Sequence, residues 1–380
     1  MKSYTFLVHN IYHIGGTTRS VINLANCLKA HGHDITLLSV FKSNHQPAYP
    51  VHNDIQIRNI IDYSNRYSFI PKIINRLRKY TPFFSPRLIQ PDEPGINQFS
   101  AYIENRIVDE IKNVSTDFLV GTRATYNLLI AEYSTTATIG MEHMHFAAHP
   151  KRLQQAIIEE YVYLDYITTL TSIDRSCYRH YFDKEKVVLL PNIMSPVQVE
   201  CKKSSIITAL GRLEYEKGFD MLIEAAHMIK DELRTYGYQI MLYGDGTEKA
   251  ELISQIYNLN IGDIIKINPS VNDISPVLSQ SQITVIPSRS EGFGMVILEA
   301  FAFNNAVAGF NAPLGPKELL VHNENALIAD CYNIKQLADY LLTLICNESL
   351  REKLIKGGKT TLSKYSPDQV YSMLKDQINN

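Results

Sequence analysis

Residues 204–229, SSIITALGRLEYEKGFDMLIEAAHMI, hold the repeating unit from which the fold can be predicted. The first part, SSIITALGRL, reads as a strand that ends in a glycine, and GFDMLIEAAHMI reads as a helix with one apolar stripe at a spacing of about 3.6 residues. Downstream, QIMLYGDG, DIIKINP, QITVIPS and AVAGF read as strands, GMVILEAFAF as a helix, and the C-terminal tail as helical. Strands that alternate with helices predict a parallel sheet covered by helices.

The N-terminal half follows the same order. A strand at residues 4–8 leads through the loop HNIYHIGGTT into a helix and then a second strand at residues 35–40. The alternation continues through DFLVGTRATYNLLIAEY and ATIGMEHM, and YITTLTSI reads as another strand. This order of strand, loop, helix and strand indicates a second parallel sheet.

A boundary lies at residues 189–203, where the prolines and polar residues of LLPNIMSPVQVECKK interrupt the pattern. A chain of 380 residues also suits two domains, at roughly 100–200 residues each. We therefore predict an α/β protein with an N-terminal domain at 1–190, a linker at 191–203 and a C-terminal domain at 204–380 that includes the last helices. Ligands of such sheets bind at the carboxyl ends of strands, which predicts a site in the cleft where the two domains face each other.

Charge and composition argue against several classes of protein. The formal net charge of −2 gives nucleic-acid binding no global support. The N-terminus MKSYTFLVHN lacks the apolar core of a signal peptide, and no uncharged apolar run reaches about 18 residues, so we expect a soluble, cytoplasmic chain. The cysteines show no CxxC spacing and are interpreted as reduced thiols rather than as disulfides or zinc ligands. They are Cys27, Cys177, Cys201, Cys331 and Cys346.

The segment from Arg58 to Leu88 departs from this charge balance. It holds seven basic residues against one acidic residue, Asp62, together with several aromatic residues. A short basic amphipathic helix here would bind an anionic membrane or an anionic acceptor, through residues such as Arg76 and Lys79. The membrane interpretation places the chain peripherally at the inner face of the plasma membrane. A solvated helix face with a core side would show the same pattern.

In HIGGTTRS, residues 13–20, Gly15 and Gly16 lie between a strand end and a helix start. Backbone N–H groups and the helix dipole favour an anion at such a place. The loop is not a GxGxxG fingerprint, and no acidic residue about 20 positions on suits a ribose, which disfavours a dinucleotide. A tight turn without a ligand and a loop that approaches a phosphate or a sugar both remain open.

In GRLEYEKGFD, residues 211–220, Gly211 lets the chain leave its strand. Arg212 and Lys217 lie five positions apart around the turn into the next helix. Two cations beside a helix N-terminus suit a pyrophosphate. Taken alone, the pair is equally typical of a surface Arg and Lys that only aid solubility.

The stretch SRSEGFGMVILEAF, residues 288–301, carries two glutamates in an apolar segment, where a carboxylate is costly unless something binds it. Glu291 would lie just before the helix N-terminus, with Gly292 and Gly294 opening the helix. Glu299 lies eight residues on, or about 12 Å along the axis of a fully helical segment, which is roughly the span of a nucleotide sugar from ribose to hexose. Glu299 therefore suits a ribose diol and Glu291 suits hexose hydroxyls. The alternative for Glu299 is a helix-face pair with a basic neighbour.

Three histidines and Glu142 follow a strand in MEHMHFAAH, residues 141–149. The sequence has no HExxH, no second cluster of ligands and no Asp-x-Asp, so we do not predict a metal site. A histidine at the strand end that faces the cleft, as a polar or acceptor-positioning group, fits the pattern better.

Together these four stretches resemble the retaining GT-B glycosyltransferases of family 4 (group 1), over essentially the whole chain. The most specific part is SEGFGMVILEAF, which matches the family's E-x7-E element at Glu291 and Glu299. LGRLEYEKGFDMLIEA matches upstream of it, GGTTRSVINLANCLKAHGHDITLLS matches near the start, and GPKELLVHNENALI matches after it. The resemblance implies two Rossmann-like domains that face each other across a cleft. The C-terminal domain would hold most of a nucleotide-sugar donor and the N-terminal domain most of an acceptor.

The resemblance also implies roles for particular residues. Arg212 and Lys217 would neutralise the donor diphosphate, and Glu291 would contact the transferred sugar. His143 matches the family's cleft histidine, and His145 is the alternative two residues later. The expected donor-binding residues are Gly15, Gly16, Gly211, Gly292, Phe293, Gly294 and Glu299, and the expected acceptor-binding residues are His145, Asn192, Arg76 and Lys79.

The implied reaction moves a hexose or N-acetylhexosamine, with retention, from a nucleotide sugar to an acceptor hydroxyl. A UDP-sugar is the expected donor, and a cell-surface polysaccharide, a wall polymer or a lipid-linked glycan is the expected acceptor. No cofactor or metal is expected. The alternatives are a nucleotide-sugar epimerase, a GT-B phosphorylase, and a catalytically silent GT-B partner of another transferase.

Overall fold

The chain folds into two compact units of parallel β-sheet and α-helix. The computed structural model describes residues 1–64, 73–74, 76–77, 81–93, 95–194, 197 and 202–378. One unit consists of Met1–Ile193 and the residues from Val370 onward, and the other is Met194–Gln369. The boundary between Ile193 and Met194 lies within the segment 191–203 that was predicted as the linker.

The first unit is built on a parallel sheet with strand order β3-β2-β1-β4-β5-β6-β7. Its strands are β1 (Ser3–Val8), β2 (Asp34–Lys42), β3 (Gln56–Asp62), β4 (Phe118–Gly121), β5 (Ala137–Met141), β6 (Tyr166–Thr169) and β7 (Val187–Leu189). Its helices, up to the unit boundary, are α1 (Gly16–Ala30), α2 (Ala101–Lys112), α3 (Ala124–Tyr133), α4 (Lys151–Glu160) and α5 (Ser172–Tyr178).

The second unit has a parallel sheet with strand order β10-β9-β8-β11-β12-β13. Its strands are β8 (Ser204–Leu210), β9 (Gln239–Tyr243), β10 (Ile265–Asn268), β11 (Ser281–Ile286), β12 (Ala306–Phe310) and β13 (Ala326–Ala329). The helices that follow in the chain are α6 (Phe219–Met228), α7 (Lys230–Thr235), α8 (Lys249–Asn258), α9 (Ser275–Gln280), α10 (Met295–Ala302), α11 (Gly315–Leu319), α12 (Ile334–Cys346), α13 (Glu348–Ser363) and α14 (Pro367–Ile378).

Central strands such as β1 and β12 are nearly continuous apolar runs, as expected for parallel sheets covered on both faces. In β1, Tyr4 and Phe6 join one hydrophobic cluster while Leu7 joins the other, as alternating side chains of a strand must. In the second unit, every residue of β12 (AVAGF) is buried. The predicted α/β class with two parallel sheets is therefore confirmed.

The parallel arrangement decides where the predicted site residues lie. In each sheet the carboxyl ends of the strands meet at one edge, and the loops that leave this edge are the usual place for ligands. In the first unit these loops carry Gly15 and Gly16 after β1, His143 and His145 after β5, and Asn192 after β7. In the second unit they carry Arg212 and Lys217 after β8, and Glu291 after β11.

The structure differs from the sequence-based description at two places in the first unit, the last helix and strand β3. The division placed all of 204–380 in the C-terminal domain, yet α14 packs with the N-terminal unit. Val370, Leu374 and Ile378 lie four residues apart on one helix face and are buried in the same hydrophobic cluster as β1. Strand β3 was not predicted, and it takes in Arg58, the first residue of the predicted basic segment.

Within the described ranges, no helix is both long enough and apolar enough to cross a membrane.

Candidate active site

The loop between β8 and α6 carries Lys217 to the carboxyl edge of the second sheet. A 3-10 turn at Tyr215–Lys217 ends at Gly218, which has φ of 65° and caps the N-terminus of α6. A Cβ atom at Gly218 would lie 2.1 Å from the backbone oxygen of Pro287. Only glycine fits here, because the left-handed backbone and the close approach both exclude a larger residue. The β8 loop is thereby held directly against the end of β11.

The loop between β11 and α10 carries Glu291. The helix begins at Met295, and Gly294, with φ of 81°, caps it. Glu291 therefore lies in the loop, where it forms an isolated parallel bridge with Leu314. The prediction that Glu291 precedes the helix agrees with this geometry. The estimate of about 12 Å between the two glutamates does not apply, because the segment from Glu291 to Gly294 is not helical.

Lys217 and Glu291 meet although 74 positions separate them in the sequence. Lys217 Nζ donates to Glu291 Oε2, and each side chain is 18% exposed. Ser288 Oγ donates to the same carboxylate oxygen at 3.4 Å. The structure thus brings together one cation of the predicted diphosphate clamp and the carboxylate predicted to bind the transferred sugar.

A second ion pair joins the same two loops. The two terminal nitrogens of Arg289 donate to the two carboxylate oxygens of Asp220 at 2.8 and 2.5 Å. Arg289 Nη1 also donates to the Tyr215 carbonyl at 2.8 Å, and the guanidinium lies 4.0 Å from the centroid of the Tyr215 ring. The hydrogen bond with Asp220 raises the pKa of Arg289 above its ordinary value. Bidentate pairs of this kind fix orientation as well as distance.

Sequence reasoning assigned no role to Arg289 or Asp220, although both lie inside the quoted motifs. Their signal was weak because a single Arg and a single Asp 69 positions apart show no spacing that predicts contact. Asp220 also lies in the first turn of α6, where acidic residues are common because they interact favourably with the helix dipole, so its presence there did not indicate an ion pair.

Glu299 lies in the second turn of α10 and is only 4% exposed. It is therefore a buried carboxylate rather than one on a solvated helix face. Its neighbours Ile297, Leu298, Ala300 and Phe301 are apolar core residues. A buried carboxylate needs polar partners, and the binding of a ribose by Glu299 stays a prediction.

Arg212 is exposed at the start of the β8 loop. The nearby Glu214 carboxylate accepts from Thr247 Oγ1 at 2.6 Å and from Thr247 N at 3.2 Å. The pKa of Glu214 is lowered mainly by the hydroxyl of Thr247 and further by the charge of Arg212. Arg212 thus presents its charge to solvent on the same loop as Lys217.

In the first unit, Gly15 is the cap residue of α1 and Gly16 is its first residue. Gly15 has φ of 179°, an extended conformation that any residue adopts. A Cβ atom at either position would meet nothing within 4 Å. Neither the packing nor the backbone of Gly15 requires a glycine here, which leaves the N-terminus of α1 open to close approach by a ligand.

Asn192 is buried and engaged within the first unit. Its Oδ1 accepts from Ser20 Oγ, and the neighbouring Ile193 carbonyl accepts from Asn23 Nδ2 at 3.0 Å. Both donors lie on α1, so these contacts tie the end of the unit to the helix that begins at Gly16. The structure gives Asn192 a clear packing role, and acceptor binding by it stays a prediction.

The two candidate histidines in the loop after β5, His143 and His145, have different surroundings. His143 Nε2 is buried without a hydrogen-bond partner among the described residues, and burial lowers the pKa of His143 to about 4 against the opposing charge of Glu142. His145 Nδ1 contacts Asp174 Oδ1, and Thr171 Oγ1 donates to the other oxygen of Asp174 at 2.9 Å. His145 is therefore oriented by a buried carboxylate, whereas His143 is held neutral.

The carboxylate of Glu142 is occupied by protein groups. It contacts Tyr161 OH, accepts from Asn127 Nδ2 at 3.0 Å, and lies 3.1 Å from His149 Nε2. Among the residues that the structure describes, no group of three or more His, Cys, Asp or Glu side chains is arranged to hold a metal ion.

The basic segment is described only in part. Arg58 belongs to β3, and its guanidinium donates to Glu110 of α2 at 2.7 Å. Arg76 is exposed in a helical position, near the exposed Ile73 and Leu77. Lys79 lies outside the described residues, as do Arg66, Lys72 and Arg78.

Known proteins with similar sequences are named as glycosyltransferases. Residues 193–361 match the family model of glycosyl transferases group 1. A Haemophilus influenzae protein described as an uncharacterized glycosyltransferase is 27% identical over 378 residues, covering 97% of this chain and 98% of the relative. The amylovoran biosynthesis glycosyltransferase AmsD of Erwinia amylovora is 24% identical over 391 residues and covers all of both chains.

Solved structures show the same fold. A mutant of Staphylococcus aureus TarM, in complex with fondaparinux, alpha-GlcNAc-glycerol and UDP, superposes with a TM-score of 0.79 at 15% identity over all of both chains. Anabaena HepE in complex with UDP and glucose gives a TM-score of 0.74 at 13% identity, also over all of both chains. The fold is that of the GT-B glycosyltransferases.

The segment that matches the family model includes the Lys217 and Glu291 loops. The chain is thus similar to glycosyl transferases group 1 over residues 193–361, and to two proteins named as glycosyltransferases over nearly its whole length.

Proposed function

We propose that the chain is a retaining glycosyltransferase of family 4 that transfers a hexose or N-acetylhexosamine from a UDP-sugar to a hydroxyl group of a glycan acceptor. The observation that carries this proposal is the contact between Lys217 and Glu291 at the carboxyl edge of the second sheet. The Lys217 amine, which would bind phosphate, and the Glu291 carboxylate, which would bind sugar hydroxyls, lie within hydrogen-bonding distance of each other. The buried Glu299 supplies a second carboxylate on the adjoining helix.

Each group of the second unit has a chemical role in this proposal. Arg212 and Lys217 bind the donor diphosphate and stabilise the negative charge that develops on it as it departs. Glu299 accepts hydrogen bonds from the ribose, and Glu291 accepts from the transferred sugar. The backbone from Gly292 to Gly294, with Gly211 in the β8 loop, would complete the donor contacts. Phe293 is buried, so its side chain supports this backbone rather than facing a ligand.

The reaction requires no covalent enzyme intermediate. The acceptor oxygen bonds to the anomeric carbon on the face from which the diphosphate leaves, the bond to the phosphate oxygen breaks, and the hydroxyl proton leaves with the nucleoside diphosphate. Charge stabilisation and the orientation of both substrates supply the rate acceleration. The proposal includes no metal or cofactor, in keeping with a sequence that lacks Asp-x-Asp.

In the first unit we propose Gly15 and Gly16 as further donor contacts, since neither is needed for packing. We propose the neutral His143 as the histidine that contacts the reacting sugar. His145, oriented by Asp174, and Asn192 are assigned to the acceptor. Arg76 and Lys79 are assigned to an anionic acceptor or to the anionic inner face of the plasma membrane, with the chain in the cytoplasm.

The named activities of relatives support the acceptor class. They include amylovoran biosynthesis in Erwinia amylovora and poly(ribitol-phosphate) alpha-N-acetylglucosaminyl transfer in Staphylococcus aureus, the latter 24% identical over 60% of this chain. A Campylobacter jejuni relative acts on an undecaprenol-linked glycan and is 21% identical over 94% of this chain. We propose a cell-surface polysaccharide, wall polymer or lipid-linked glycan as the acceptor.

A thermal-shift screen with UDP, GDP, ADP and their sugars tests the donor. We expect UDP and a UDP-sugar to stabilise the chain, and a shift by another nucleotide alone would replace the UDP assignment.

In a transfer assay, Arg212→Ala and Lys217→Ala should each lower kcat by about 100-fold. Unchanged transfer in both variants would show the diphosphate assignment to be wrong. Product NMR should show retained anomeric configuration, and activity should persist in excess EDTA.

A further inference from the structure

The loop between β8 and α6 and the loop between β11 and α10 contact each other on both sides of Lys217. Before it in the chain, the backbone oxygen of Glu216 accepts from Arg289 N at 2.8 Å. After it, Gly218 lies against Pro287 and Asp220 binds the Arg289 guanidinium. These contacts hold the backbone segments that carry Lys217 and Glu291 beside each other, so that only side-chain movement separates the amine from the carboxylate. Their contact is built into the loop geometry.

Because of this contact, a ligand must satisfy two requirements: it must replace the carboxylate at the Lys217 amine, and it must supply hydrogen-bond donors to Glu291. A phosphate that binds Lys217 must compete with the Glu291 carboxylate for the same amine, and it is repelled by that carboxylate. At 18% exposure, solvent screens both charges less than at an exposed position. Separating the pair leaves the Glu291 carboxylate with the neutral Ser288 hydroxyl at 3.4 Å and no cation, which is costly in a half-buried site.

A nucleotide sugar can meet both demands at once. Its diphosphate takes the place of the carboxylate at Lys217, and its sugar hydroxyls donate to Glu291. A free nucleoside diphosphate meets only the first demand. After the sugar has been transferred, Glu291 therefore regains Lys217, and the remaining diphosphate is held more weakly.

We propose that the Lys217–Glu291 ion pair couples recognition of the diphosphate to recognition of the transferred sugar. The site thereby selects the intact donor over the free nucleoside diphosphate and favours release of the spent nucleotide. This inference rests on the proposed function of the same site. It adds that Glu291 weakens nucleotide binding when no sugar is attached.

The test is isothermal titration calorimetry on the full chain and on Glu291→Gln, with UDP and with whichever of UDP-glucose and UDP-N-acetylglucosamine binds the wild type more tightly. The variant keeps the shape of the side chain and removes its charge. We expect its affinity for UDP to rise about fivefold, the size of one partly screened ion pair. Its affinity for the UDP-sugar should fall about tenfold, because charge-assisted hydrogen bonds to the hydroxyls are lost.

Glu216→Gln is the matched control. Glu216 is exposed and directly precedes Lys217 in the β8 loop, so its substitution removes one negative charge beside Lys217 without removing the partner of the Lys217 amine. We expect less than a twofold change for either ligand. An equal gain in UDP affinity in both variants would reduce the effect to general electrostatics and overturn the proposal. A loss of UDP affinity in Glu291→Gln would also overturn it.

Three further outcomes separate the coupling from the proposed donor. If Glu291→Gln does not fold, as judged by circular dichroism, Glu291→Asp replaces it, and its shorter side chain, which reaches Lys217 less well, should raise UDP affinity in the same direction. If the wild type binds neither UDP nor either UDP-sugar, the proposed donor is wrong and the coupling falls with it. A wild type that binds the UDP-sugar without the expected change in Glu291→Gln would refute the coupling alone.

Discussion

Gly218→Ala is predicted to be a strongly damaging small substitution in the second unit, because it combines a positive φ with a backbone clash. Two costs combine. Alanine at φ of 65° costs about 1–2 kcal/mol for its left-handed backbone. The added Cβ would lie 2.1 Å from Pro287 O, so one backbone segment must move, at about 1–3 kcal/mol more. The expected total is about 2–5 kcal/mol.

Gly237→Ala separates these two costs. Gly237 has φ of 68°, but a Cβ there would meet nothing within 4 Å. It should lose only the backbone contribution of about 1–2 kcal/mol. At about 2–4 °C per kcal/mol for a unit of this size, we expect Tm to fall by about 5 °C in Gly237→Ala and by about 10 °C in Gly218→Ala.

Differential scanning calorimetry gives both values of Tm, and titration with the UDP-sugar gives the functional consequence. Gly218→Ala pushes the turn that carries Lys217 away from the β11 loop, so donor affinity should fall at least about tenfold, since misplaced binding groups lose most of their contribution. Gly237→Ala should bind the donor as the wild type does. Equal losses of Tm together with unchanged donor affinity in Gly218→Ala would refute the reasoning.

Three other perturbations have defined outcomes. Glu299→Gln should weaken UDP binding about tenfold in calorimetry, while exposed Glu224→Gln should not; equal affinities would remove the ribose role. Burial depresses the pKa of His143 to about 4, so its pH-dependent contribution to stability is zero above about pH 6.5 and becomes increasingly destabilising as the pH falls from there to about 4, because only the unfolded chain takes up the proton. That contribution is at most about 3 kcal/mol, and a urea-denaturation profile between pH 7 and 4 that His143→Gln does not flatten would contradict it. Asp220→Asn leaves the Arg289 charge without its carboxylate and should cost about 2 kcal/mol of unfolding free energy, discounted for partial exposure; a change below about 0.5 kcal/mol would show that the pair contributes little.

Local patterns were enough to predict most of the architecture. The 3.6-residue stripe of α6, the apolar runs of the strands and the glycines after them all depend on neighbours within a few positions. The E-x7-E spacing is also local, which is why Glu291 could be placed before the helix and Glu299 inside it. Strand β3 (QIRNIID) escaped prediction because polar and charged residues outnumber its isoleucines and it runs into a segment dominated by basic residues.

Contacts between distant segments could not be predicted in this way. Val370 and Leu374 give α14 an ordinary amphipathic pattern, which says that one face is buried but does not say against which unit. The sequence pattern assigned Arg58 to a basic surface segment. In the structure, Arg58 lies in β3, which pairs with β2, and its guanidinium donates to Glu110.

The sequence by itself determined the α/β class, the positions of the loops and the residue types that a nucleotide-sugar site needs. Only the tertiary structure decided that Lys217 meets Glu291 and that Arg289 and Asp220 join their loops. The physical reason is that the interaction between two charged side chains depends on their distance in space and not on their separation in the sequence. It acts over a few ångströms, and the sheet order β8-β11 is what brings residues about 70 positions apart within that distance.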